Sequence, residues 1–186
     1  MFEWTALLLP ALLATGLVFV ASSIIHVVIQ WHAPGYRKFS NEDEVRAVIR
    51  RSNATPGEYV IPHCKSSKEM ADPAMMKKFE EGPLATVYLR PNGAVKLVPF
   101  LGAWIVYTLV VSLVVGYVGW ASVPRGAEYS KVFQVIGVAA WLAYSFGSPA
   151  DSIWKGKPWA STLRYLVDGL VYACLTAGAF AWLWPR

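Results

Sequence analysis

The sequence predicts a mainly α membrane protein: a four-transmembrane-helix bundle with a small cytoplasmic α/β insertion between the first and second spans. Three observations carry this. Apolar stretches recur at residues 4–31, 97–118, 132–147 and 163–184, most of them at or near the length a bilayer demands. Only 16% of the 186 residues are charged, against about 25% in a soluble domain, and the charges crowd into residues 37–96. Fourteen of the seventeen Lys and Arg fall on one side of the arrangement. The expected divisions are residues 1–35 for the first transmembrane helix, 36–96 for the cytoplasmic module, and 97–186 for three further transmembrane helices with short connections.

The first stretch contains Pro10 and runs to Trp31. As a helix it would measure about 42 Å, longer than the ~30 Å hydrocarbon core, so it must tilt, kink near Pro10 or protrude. Ala33-Pro34-Gly35 stops it. The residues before Trp4 carry no Lys or Arg, and the apolar run is too long for a signal-peptide core, so a retained span is expected.

The polar module reads as mixed α/β. Ser40 or Asn41 caps a helix with an apolar stripe of Val45, Val48 and Ile49. Thr55-Pro56-Gly57 turns the chain into a short strand, Glu58 to Ile61. Ser66-Ser67-Lys68-Glu69 has capping-box spacing, and Asp72-Pro73 opens a helix that Gly82 ends. Leu84 to Leu89 is the clearest strand, followed by the turn Pro91-Asn92-Gly93. A module of about sixty residues has a marginal core of its own, which points to support from the membrane helices or a partner.

The second span carries Pro99 in its first turn, where proline is tolerated. The third, at 132–147, is at the lower limit for crossing and contains Gln134. The fourth ends in Trp182-Leu183-Trp184-Pro185-Arg186, an interfacial anchor. The first loop holds eleven Lys and Arg, and the third connection adds Lys155, Lys157 and Arg164. Arg125, Lys131 and Arg186 lie opposite. The positive-inside rule therefore expects both termini outside and residues 36–96 in the cytoplasm.

That orientation yields the candidate site. His26, near the cytoplasmic end of the first span, and Asp168, near the cytoplasmic start of the fourth, come to similar depth, and Tyr144 of the third span can join them. Ionisable groups in lipid are expensive and are paired or functional. Such a cluster could relay protons or bind a polar ligand; a purely structural hydrogen bond is the plainer alternative. Gly169, Ala173, Ala177 and Ala181 recur every four residues on the fourth span. This spacing suits close packing within the bundle or a face for another subunit. Asp151, Trp154, Lys155, Lys157 and Trp159 make a cytoplasmic connection suited to anionic headgroups or to recognition.

Other chemistry finds little footing. His63-Cys64, near Met70, Met75 and Met76, is a weak soft-metal set with no established spacing. No metal and no cofactor is expected. His32, beside Trp31, reads as an interfacial side chain. Only one span contains a His, which argues against bis-histidine haem. Two cysteines, Cys64 and Cys174, cannot supply a four-thiolate cluster and are placed too far apart to pair. There is no phosphate-binding loop, no H-E-x-x-H and no dinucleotide fingerprint. Charges of alternating sign in the module argue against nucleic acid. Asn53-Ala54-Thr55 precedes Pro56 on the expected cytoplasmic side and reads as a turn rather than a glycosylation site.

The stretch Ser152-Ile153-Trp154-Lys155-Gly156-Lys157-Pro158-Trp159, continued by Asp168-Gly169-Leu170-Val171-Tyr172-Ala173 and the terminal Trp-Leu-Trp-Pro, resembles uncharacterised small bacterial inner-membrane proteins. The resemblance covers the C-terminal third. It implies a bacterial inner membrane and no particular activity. The expected role is an accessory, scaffold or interaction subunit whose partners are the lipid bilayer and another membrane protein or a second copy. The alternative is a proton-coupled carrier or membrane enzyme using the His26 and Asp168 pair.

Overall fold

The computed structural model describes residues 4–185 and is mostly helical. Arg186, counted above on the outer side, lies outside the described residues. Four helices are long and apolar enough to cross a membrane: Thr5–Ile29, Leu97–Ser122, Tyr129–Lys155 and Trp159–Trp182. The chain divides into two compact units. One holds residues up to 36, 96–152 and those from 157 onward; the other holds Arg37–Val95 with Ile153–Gly156.

In the first unit, α1 (Trp4–Ser23) runs unbroken through Pro10, and it joins α5 (Leu97–Ser122), α6 (Tyr129–Ser145) and α8 (Trp159–Trp182). Their shared core is Leu7 and Ala11 of α1, Val111 and Val115 of α5, Val132 and Ile136 of α6, and Ala177 and Phe180 of α8. The outer faces keep Leu9, Val20, Val106 and Val114 exposed. Small residues set the helix spacing. A Cβ at Gly116 would stand 2.8 Å from Phe180 Cε1, and one at Gly169 would overlap the Ser145 hydroxyl.

The third apolar helix is longer than the sequence suggests. Gly147-Ser148-Pro149 reads as a stop, yet the chain resumes as α7 (Ser148–Lys155). Pro149 sits in its first turn, where no backbone donor is needed.

The end of the first span departs from α-helical geometry. The hydroxyls of Ser22 and Ser23 both donate to the Phe19 carbonyl, at 3.0 and 2.8 Å, a back-bonding that disturbs the helical ladder. Directly after them the helix widens into a π-turn, Ile24–Ile29. It closes with Gln30 N–H donating to the Ile25 carbonyl at 2.9 Å. Gln30 then takes a left-handed conformation, φ 52°, and a short 3₁₀ turn, Ala33–Gly35, follows.

In the second unit, β1 (Gly57–Ile61) pairs antiparallel with β2 (Ala85–Leu89), Gly57 opposite Leu89 and Ile61 opposite Ala85. Three helices accompany the sheet: α2 (Glu42–Arg51), α3 (Ser67–Met70) and α4 (Pro73–Glu81). The capping signals of α3 and α4 work as their residues predict, whereas Asn41, at the start of α2, makes no side-chain cap hydrogen bond and instead donates to Glu44 Oε2. Ser66 Oγ accepts from Glu69 N–H, Glu69 Oε2 accepts from Lys65 N–H, and Asp72 Oδ1 accepts from Ala74 N–H. Within this unit Lys155 Nζ lies 3.2 Å from Glu58 Oε1 and over the Tyr88 ring. Of the large apolar side chains described here, Met75 is buried, while Val48, Ile61, Met70, Met76 and Leu84 are all about half exposed or more.

Candidate functional site

The left-handed turn at Gln30 folds Trp31 and His32 back onto α8, and this is what builds the site. Asp168 lies nine residues into α8, about 13 Å along it. Its side chain is nearly inaccessible, at 3%. Burying a carboxylate is costly unless it is paired and hydrogen-bonded, and here both oxygens are engaged. Trp31 Nε1–H donates to Oδ1 at 3.0 Å, and His32 Nε2 lies 2.6 Å from Oδ2. His26 Nε2 stands 4.0 Å from the same Oδ2.

The two histidine rings stack nearly parallel, 6° apart with centroids at 4.9 Å. His32 also rests on Tyr165, centroids at 4.8 Å. His26 Nδ1 lies 2.9 Å from the Ser22 carbonyl. A carbonyl can only accept, so Nδ1 carries a proton and Nε2 of the neutral ring presents a bare lone pair toward Asp168. The side chain of His26 is 45% exposed, the most accessible member of the group.

His26 and Asp168 also line a cavity of about 430 Å³ in the helix bundle. Its walls are largely aromatic: Trp104, Tyr107, Tyr144, Tyr165 and Tyr172. Trp104 Nε1–H donates to Ser22 Oγ at 2.9 Å, and the Tyr144 and Tyr172 rings meet edge to face with centroids 5.7 Å apart. The Tyr144 hydroxyl lies within hydrogen-bonding reach of those of Ser112 and Thr176, and the hydroxyls of Ser145 and Tyr172 are buried nearby.

The residues singled out from the sequence fall as follows. His26 and Asp168 come together. Tyr144 lines the same cavity but contacts Tyr107 and Tyr172 rather than the carboxylate. Gly169, Ala173, Ala177 and Ala181 are buried inside the chain's own bundle. In the connection, Trp154 and Trp159 are exposed, Lys155 pairs with Glu58, and Lys157 Nζ donates to Ser148 Oγ at 3.0 Å and lies 4.1 Å over the Tyr165 ring. Asp151 opens α7 within its first turn, and its carbonyl accepts from Lys157 N–H. His63 is exposed, and both cysteines are free thiols, Cys64 half buried and Cys174 exposed.

Two members of the site escape the sequence reading. His32 is buried rather than interfacial, and Trp31 holds the carboxylate. Their spacings from His26, five and six, do not share a face on an α-helix. Only the π-turn and the reversal at Gln30 bring them round. No family model matches the chain, and neither a characterised protein nor a solved structure is similar enough to match it.

Proposed function

We propose that this chain is a membrane protein that binds a small lipid-soluble ligand and acts on it at the His26, His32 and Asp168 centre. The observation that carries the reading is a nearly inaccessible carboxylate and an accessible imidazole lining one aromatic cavity within the helix bundle. Pockets of this kind are mostly apolar with a few convergent polar groups that orient the ligand. The ligand has an apolar body that lies against Trp104 and the tyrosines, and a polar head that meets His26. The setting proposed is a bacterial inner membrane, and the Lys and Arg distribution supports an orientation with both termini outside and residues 36–96 in the cytoplasm.

The test is mass spectrometry of small molecules retained by the full chain after gentle detergent extraction. A discrete lipid-soluble compound, held by the wild type and lost from Ser23→Trp, which fills the cavity, supports the reading. Identical small-molecule content in the two proteins refutes it.

A second reading, an accessory or interaction subunit, draws support from the polar unit. Val48, Ile61, Met70, Met76 and Leu84 of that unit are about half exposed or more, apolar surface that a partner could cover.

A further inference from the structure

We infer that the His26, His32 and Asp168 cluster is a site for a divalent first-row transition-metal ion. The inference rests on the ligand-binding reading above and names what stands at the polar end of the cavity. Each residue offers one ligand atom, and these atoms all lie within 4.8 Å of one another. Ligand atoms bound about 2.0–2.2 Å from an ion are about 3.0–3.5 Å apart. The separations of 2.6 Å (His32 Nε2 to Oδ2) and 4.0 Å (His26 Nε2 to Oδ2) bracket that value. The third separation, between the two histidine nitrogens, is within 4.8 Å, so binding draws the side chains together by about 1 Å toward the spacing of bound ligands.

The hydrogen bonds behind the ligand atoms point the same way. The Ser22 carbonyl takes the Nδ1 proton of His26, which aims a lone pair at an oxygen that itself only accepts. Oδ2 now takes the His32 Nε2 proton at 2.6 Å, and an ion in that proton's place would meet the His26 Nε2 lone pair as well. Trp31 Nε1–H holds the other carboxylate oxygen. Groups that fix the ring and carboxylate in this way are the regular companions of protein metal ligands.

The donor set selects the ion class. Two imidazoles and one carboxylate suit zinc, ferrous iron or manganese rather than calcium or magnesium, which prefer oxygen alone. Three protein ligands leave at least one coordination position open. His26 and Asp168 both line the cavity, so that position faces the place where the ligand would lie.

The experiment uses the full chain in detergent, stripped with EDTA, loaded with Co²⁺ and desalted. About one Co²⁺ per chain, with visible absorption that added Zn²⁺ abolishes, is the expected result. His26→Ala, at a half-exposed position that tolerates truncation, weakens Co²⁺ retention by about tenfold or more, as does His32→Ala. Trp31→Phe, which removes no ligand atom, also weakens it by about tenfold. No retained Co²⁺, or an absorption unchanged in both histidine variants, overturns the proposal.

The two readings fail separately. A chain that refuses Co²⁺ but still holds a small molecule overturns the metal site alone. A chain that binds Co²⁺ and holds no small molecule supports the metal site and overturns the lipid-soluble ligand.

Discussion

Removing the Asp168 carboxylate tests whether it ties the end of the first span to the fourth. In Asp168→Ala, Trp31 Nε1–H and His32 Nε2–H both lose their acceptor. Hydrogen bonds to a charged group are worth about 1.5–3 kcal/mol each, and a buried donor left unsatisfied costs a similar amount. The two together predict a loss of about 3–6 kcal/mol. Asp168→Asn keeps the shape and an acceptor for Trp31 but turns an amide toward His32, so about half that loss is expected. For a chain of this size 1 kcal/mol moves the melting midpoint by about 2–4 °C. Asp168→Ala should therefore melt at least about 6 °C lower, and Asp168→Asn should fall between it and the wild type. The assay is thermal unfolding in detergent followed by circular dichroism, with chelator present so that no bound ion contributes. Hydrogen exchange of residues 30–36 is read alongside, and it should accelerate in the same order. A midpoint within about 2 °C of wild type for Asp168→Ala, with exchange unchanged, refutes the argument.

Three further outcomes follow from the packing and topology. Gly169→Val should cost about 1–3 kcal/mol by forcing α6 and α8 apart, whereas Gly16→Ala, inside α1 with nothing within 4 Å of the added Cβ, should be neutral or stabilising by up to about 1 kcal/mol; both are read from the melting midpoint. Gln30→Gly relieves a left-handed backbone at φ 52° and should be neutral or stabilising by up to about 1 kcal/mol, also by melting, while a clear loss would mean the Gln30 side chain matters more than its backbone. A membrane-impermeant maleimide should label Cys64 only after the cells are permeabilised, and labelling in intact cells would reverse the orientation.

The four apolar helices are legible because a bilayer imposes one length and one composition, and Thr5–Ile29, Leu97–Ser122 and Trp159–Trp182 fall near their expected stretches. The third was cut short at Gly147 because Gly and Pro punctuate soluble helices, and here Pro149 merely starts a new turn. The approach of His26 to Asp168 is also within reach, because successive spans run in opposite directions and the two residues sit near facing ends, although the carboxylate bonds His32 and Trp31 while His26 Nε2 stands 4.0 Å away. His32 and Trp31 were not within reach. Their placement depends on a π-turn set by two serine hydroxyls and on one left-handed residue, and neither leaves a periodic trace. The small-residue row of α8 shows a different limit. A four-residue repeat of Gly and Ala looks the same whether it meets a helix of its own chain or of another. The burial of all four residues, with Gly169 against Ser145 and Tyr144 and Ala177 against Gly137, assigns the row to the bundle interior.

The central claim, that a ligand from the membrane reaches the His26 and Asp168 centre through the aromatic cavity, is tested most directly by photo-crosslinking in cells. A benzophenone side chain is placed at Val27 and, in a second protein, at Val28; both are exposed, and Val27 alone of the two lines the cavity. The account predicts a discrete adduct of one lipid-soluble compound at Val27, against phospholipid adducts alone at Val28. The same phospholipid adducts at both positions would contradict it.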